Sequence, residues 1–154
     1  MKQNIKIIVN VFFLVIISLT SSTLYGKESV LESLLITTSK GTSVTYQIEI
    51  AKTPAQMMRG LMFRDNMPED QGMLFIYSPE RPATMWMKNT IIPLDMLFID
   101  GNGMVVNIAR NTVPFSLDRI SSGQAVKGVL ELNAGQVDKH QISIGDTVTL
   151  PDLN

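Results

Sequence analysis

Alternation of apolar and polar side chains is the strongest signal along the chain. From Val44 to Ile50 every second residue is apolar (Val44, Tyr46, Ile48, Ile50), the period of a strand with one buried face. Leu34–Thr37 reads as a first strand closed by Ser39-Lys40-Gly41, and Gly72–Ile76 as a short apolar strand broken by Ser78-Pro79-Glu80-Arg81-Pro82. Ala83–Lys88 alternates again, placing Met85 and Met87 inward and Thr84, Trp86 and Lys88 outward. Leu94, Met96 and Phe98 share one face of the next strand, with Asp95 on the other. Asp100-Gly101-Asn102-Gly103 predicts a hairpin into a strand from Met104 to Ala109. Ala125–Leu132 and Thr147–Leu150, the latter entered through Gly145-Asp146, complete the strands. Helical signals are few. Thr53-Pro54-Ala55-Gln56 has a capping Thr, a Pro at the first helical position and a Gln three residues after the cap, and Gly60 can end that helix. A second short helix falls within Asn133–His140. About eight short strands with one or two short helices predict a mainly β fold. The expected architecture is a small closed or nearly closed β-barrel, with a sandwich as the other arrangement; closure disposes of unpaired sheet edges.

The N-terminus follows a different pattern. Lys2 and Lys6 precede an apolar run, Ile7–Leu19, interrupted only by Asn10 and Ser18, and Thr20-Ser21-Ser22-Thr23 is small and polar. That is the three-part pattern of a secretory signal, and the run is short against the roughly 20 residues of a bilayer span. Residues 1–26 are therefore expected to be a signal peptide cut after Ser22 or Gly26. Residues 27–43 then form a tether and the first strand, and 44–150 a single β-rich domain. The expected location is outside the inner membrane, periplasmic where the cell has a periplasm. The alternative is an uncut segment that anchors the protein to the membrane. No Cys follows the run, which excludes lipoprotein attachment there.

Composition narrows the chemistry. The 154 residues suit one domain, and the net charge of −1 argues against nucleic-acid partners. Without residues 1–26 the balance is 11 basic to 14 acidic, mildly acidic and typical of an exported soluble domain. With no Cys there are no disulfides, thiolate metal sites or cysteine nucleophiles; with His140 as the one histidine, multi-histidine metal sites are excluded as well. His140 sits in the polar run Asp138–Gln141 and reads as a solvated helix end. Neither Gly-x-Ser-x-Gly nor Ser-x-x-Lys occurs, and the Asp100–Gly103 turn lacks the downstream Glu of a calcium loop. No cofactor is implied, and a monomer is expected.

Three sets of residues remain as candidates. Nine of the ten methionines lie between Met57 and Met104. Met85-Trp86-Met87 could hold Cu(I) through soft thioethers, against the plainer role of filling an irregular core. Asp95 and Glu131 lie within strand-like runs and could serve an envelope-acting hydrolase as a carboxylate pair if the fold brings them together. The favoured cluster is Arg59, Arg64, Trp86, Lys88, Asn89 and Asp95, polar groups set among apolar neighbours. At a barrel mouth it would suit a small anionic or polar ligand, or an envelope protein. The structural alternative for the same residues is an ion pair of Asp95 with Lys88 or Arg64.

Several of these stretches also resemble a known family. Gly60-Leu61-Met62-x-Arg64, Gly72-Met73-Leu74-Phe75, the long block Trp86-Met87-Lys88-Asn89-Thr90-x-Ile92-Pro93-Leu94-Asp95-Met96-Leu97-Phe98-Ile99-Asp100, Val129-Leu130-Glu131-Leu132-x-Ala134-Gly135 and Gly145-Asp146 occur in order from Val44 to Leu150. Together they resemble the domain-of-unknown-function-192 family. The resemblance implies a small, single-domain, β-rich protein, often exported behind an N-terminal signal. It carries over no catalytic residue, substrate or cofactor.

Overall fold

A computed structural model describes residues 30–150 of the chain; the expected signal segment and the start of the tether lie outside them. Chain order is β1 (Glu32–Thr37), β2 (Ser43–Ala51), α1 (Pro54–Arg59), β3 (Gln71–Met85), β4 (Leu94–Ile99), β5 (Val105–Ala109), β6 (Ile120–Asn133), α2 (Gln136–Lys139) and β7 (Thr147–Thr149). The strands form one sheet in the order β5-β4-β6-β3-β2-β1-β7. Its two edges meet again. Val105 N–H donates to Asp146 C=O, Val148 N–H to Gly103 C=O, and Met104 bridges Thr147, so the sheet curls into a nearly closed barrel. β2 and β3 pair in parallel, which requires a crossover, and α1 lies in it.

The count is seven strands rather than eight, because the two strands expected on either side of Ser78–Pro82 are one. β3 runs through both prolines and pairs with β6 along its length, with register shifts between Ile76 and Arg81 and between Pro82 and Thr84. Proline cannot donate to a ladder, and an irregular register is where that loss is tolerated.

The β3–β6–β4 part of the sheet is covered on both faces. Leu74, Ile76, Leu97, Leu130 and Leu132 point into the barrel with Leu34, Tyr46 and Ile48. Met73, Phe75, Tyr77, Met96, Phe98 and Val129 point outward into a second core with Leu61, Met67 and Met87. Double coverage explains why Met73–Tyr77 is apolar without alternation. It also means that an acid in this region is buried whichever way it points.

Candidate functional site

The site is assembled on the outward face of β3, beginning with α1. Gln56 N–H donates to Thr53 Oγ1 and Thr53 N–H donates to Gln56 Oε1, the capping box read from the sequence. The helix stops at Gly60, which has φ 48°. A Cβ there would lie 3.0 Å from Phe75 Cζ, so the turn after the helix presses directly on the outward aromatic of β3. Leu61 anchors this turn in the second core. Phe63 N–H then donates to Asn89 C=O, and Asn89 Nδ2 approaches Met62 Sδ at 3.9 Å. These contacts tie the segment after β3 to the turn after α1.

Between them runs a groove of about 640 Å³. Met57, Met58 and Met62 form one side, Phe75, Tyr77 and Met85 the floor, and Trp86, Lys88 and Asn89 the other side. Tyr77 Oη donates to Met85 Sδ at 3.6 Å. Two cations ride on aromatic rings along the groove: Arg81 Cζ lies 4.3 Å from the Tyr77 ring centre, and Lys88 Nζ 5.4 Å from that of Trp86. Arg119 lines the adjoining hollow beside Trp86. The ion pairs among the described residues are Arg64–Glu49, Arg110–Asp138 and Lys139–Glu69; Arg59, Arg81, Lys88 and Arg119 are in none of them.

A smaller recess of about 40 Å³ shares six lining residues with the groove, and Glu131 is part of its wall. Glu131 sits between Met73 of β3 and Met96 of β4 and is 4% exposed. Its carboxyl has no hydrogen-bond partner among the described residues. Burial pushes its pKa up to about 8, since desolvation penalises the charged form. Tyr77 is also raised, chiefly by burial; Arg81 opposes the rise and Glu131 adds to it.

The favoured cluster is divided by the fold. Trp86, Lys88 and Asn89 line the methionine groove. Arg59 and Arg64 line a second groove of about 390 Å³ on the β2 side of α1, although Arg59 also borders the Glu131 recess. Asp95 belongs to neither: it points into the barrel, where Oδ1 accepts from Asn111 N–H and Oδ2 from Val137 N–H, both at 2.9 Å. The ion pair expected of Asp95 does not form. Arg64 pairs in a two-pronged fashion with Glu49 of β2 instead, because the turn after α1 delivers it to that strand.

Asp95 and Glu131 do not converge. Asp95 is directly across from Leu132, and Glu131 from Met96, so the two carboxyls project from opposite faces of the sheet. Met85 and Met87 separate as well. Trp86 is half exposed and Met87 is buried in the second core, where its sulfur accepts from Thr112 Oγ1 at 3.2 Å, while Met85 faces the groove. His140 caps the C-terminal end of α2, edge-on to Tyr46.

Met57, Met58, Met62, Phe75, Tyr77 and Arg81 were not anticipated as site residues. A signal for the recess was present: Glu131 interrupts the otherwise apolar run Val129–Leu132. No comparable signal marks the methionines of α1, whose partners come from β3.

A model of the domain-of-unknown-function-192 family, described as "Uncharacterized ACR", matches residues 35–150. Among solved structures the chain is similar to a candidate transcription regulator from Sinorhizobium meliloti 1021. That protein is 44% identical with a TM-score of 0.76, over 77% of this chain and 92% of the other. The chain is also similar to a protein of unknown function from Novosphingobium aromaticivorans DSM 12444, 35% identical with a TM-score of 0.75, over 78% of this chain and 85% of the other. No curated protein matches the chain at a significant level.

Proposed function

The chain belongs to the domain-of-unknown-function-192 family, and on that premise we propose that it is an exported, monomeric, non-catalytic binding module. Its methionine groove takes a small amphiphile with an apolar body and a negatively charged end. The observation that carries this reading is the pairing of apolar walls with cations that have no ion-pair partner among the described residues. Arg81 and Lys88 each lie over an aromatic ring, Tyr77 and Trp86, and both line the groove. Methionine side chains adapt to the shape of what they receive, which suits a lining that must follow an apolar body. The opposed projection of Asp95 and Glu131 gives no support to a shared acid–base step.

The test is titration with 1-anilinonaphthalene-8-sulfonate, an aromatic anion of this class. Saturable one-to-one binding is expected. It should weaken several-fold in Lys88→Ala and in Arg81→Ala, since a rim charge pair is worth up to about 1 kcal/mol. Trp86→Ala should weaken it further, and Lys40→Ala, remote from the groove, should leave it unchanged. Non-saturable binding, or equal affinity in the Lys88, Arg81 and Lys40 variants, overturns the reading.

A second reading has one observation in its favour. Met57, Met58, Met62 and Met85 put four thioethers on one groove, the donor type that Cu(I) and Ag(I) select. Silver titration followed by native mass spectrometry tests it; a protein that stays metal-free with excess Ag(I) removes it.

A further inference from the structure

The Glu131 recess has a feature that binding an amphiphile does not by itself explain. A carboxyl on an apolar sheet face, flanked by Met73 and Met96, costs stability and satisfies no partner in the protein. The neighbouring barrel interior handles an acid differently: both oxygens of Asp95 are engaged by backbone N–H groups. Glu131 instead lines an opening that shares six of its other lining residues with the groove. At about 40 Å³ the opening has room for one small group at the end of a ligand.

Resting on the groove reading above, we propose that Glu131, as a neutral carboxylic acid, donates a hydrogen bond to an oxygen at the buried end of the ligand. The ligand class is then an amphiphilic anion whose far end carries a carbonyl, ester or ether oxygen, in preference to a plain hydrocarbon or an amine. Two observations favour an acceptor over an amine. The charged groups around the opening are cations, Arg59 in its wall and Arg81 and Lys88 along the groove, which disfavour a second positive charge. Burial keeps the acid protonated at neutral pH, so it has a proton to give.

The experiment compares three naphthalene sulfonates with the same anionic end. The 6-acetylnaphthalene-2-sulfonate carries an oxygen, the 6-isopropyl compound is its near-isosteric hydrocarbon, and the 6-aminomethyl compound carries an ammonium. Each is titrated calorimetrically at pH 6.5 into wild-type protein, Glu131→Gln and Glu131→Leu, all checked for folding by circular dichroism. The acetyl compound is expected to bind about fivefold to tenfold more tightly than the isopropyl compound, the worth of one hydrogen bond. Glu131→Gln keeps a donor and should keep the preference, whereas Glu131→Leu should abolish it. Equal binding of acetyl and isopropyl compounds, a preference that survives in Glu131→Leu, or tightest binding of the ammonium overturns this inference and leaves the groove reading standing. If none of the three binds saturably to wild-type protein, both fall together.

Discussion

Replacing Glu131 by glutamine should strongly change how stability responds to pH. Burial raises the carboxyl from its ordinary value of about 4.5 up to about 8 in the folded chain. The folded state therefore holds the proton more tightly than the unfolded state. Below about pH 4.5 both states are protonated and the group makes no pH-dependent contribution. Between the two values the unfolded chain gives up its proton while the folded chain keeps it, so stability falls as pH rises, by about 1.4 kcal/mol per pH unit. The loss is on the order of 3 kcal/mol by pH 7 and on the order of 5 kcal/mol above pH 8, a large part of the 5–15 kcal/mol that holds a typical domain together. Glutamine fills nearly the same volume and has no proton to lose. Urea unfolding of wild type and Glu131→Gln at half-unit intervals from pH 5 to pH 9 measures the difference. The gap in unfolding free energy should widen steadily in favour of glutamine up to about pH 8 and then level off. The other titrating groups are common to the two proteins and largely cancel in that gap; Tyr77, whose shift Glu131 adds to, is pushed upward, away from this range. A gap that stays constant from pH 5 to pH 8 would refute the argument that this carboxyl is buried without a partner.

Other substitutions probe how the site is held. Asp95→Asn places an amide donor against a backbone N–H of Asn111 or Val137 and should cost about 2–3 kcal/mol in urea unfolding, with the groove ligand still bound. Arg64→Ala removes the paired contact to Glu49 and should cost about 1–2 kcal/mol; because the loss is shared, Arg64→Ala with Glu49→Ala should be less destabilised than the two singles summed, which a double-mutant cycle reads. Thr53→Ala removes the cap of α1 and should lower stability by about 1 kcal/mol, while weakening sulfonate binding because Met57 and Met58 ride on that helix.

A costly buried acid fits a site better than a scaffold. The carboxyl between Met73 and Met96 interrupts an otherwise apolar second core, and local rules are characteristically broken where function requires it. Glu69 makes the contrast: exposed and hydrogen-bonded by Lys139, its carboxyl is held below the usual range and places no such demand on the fold.

What the sequence determined by itself is local. The capping box of α1, the hairpin turn at Asp100–Gly103 and the alternation of Val44–Ile50 rest on contacts within a few residues or on a period of two, and both are written in the order of side chains. The prolines at 79 and 82 misled because their effect on a strand depends on the partner across it, and β6 accommodates them with a register shift. The composition of the site was decided only by tertiary structure. Register sent Asp95 and Glu131 to opposite faces of the sheet. The crossover from β2 to β3 carried α1 over Phe75, so that three methionines of one segment meet the aromatics and cations of another. The position of α1 also divided Arg64 from Trp86 and Lys88. Such groupings depend on pairings between residues distant in the chain, and no period or motif within a single strand encodes which strand becomes its neighbour.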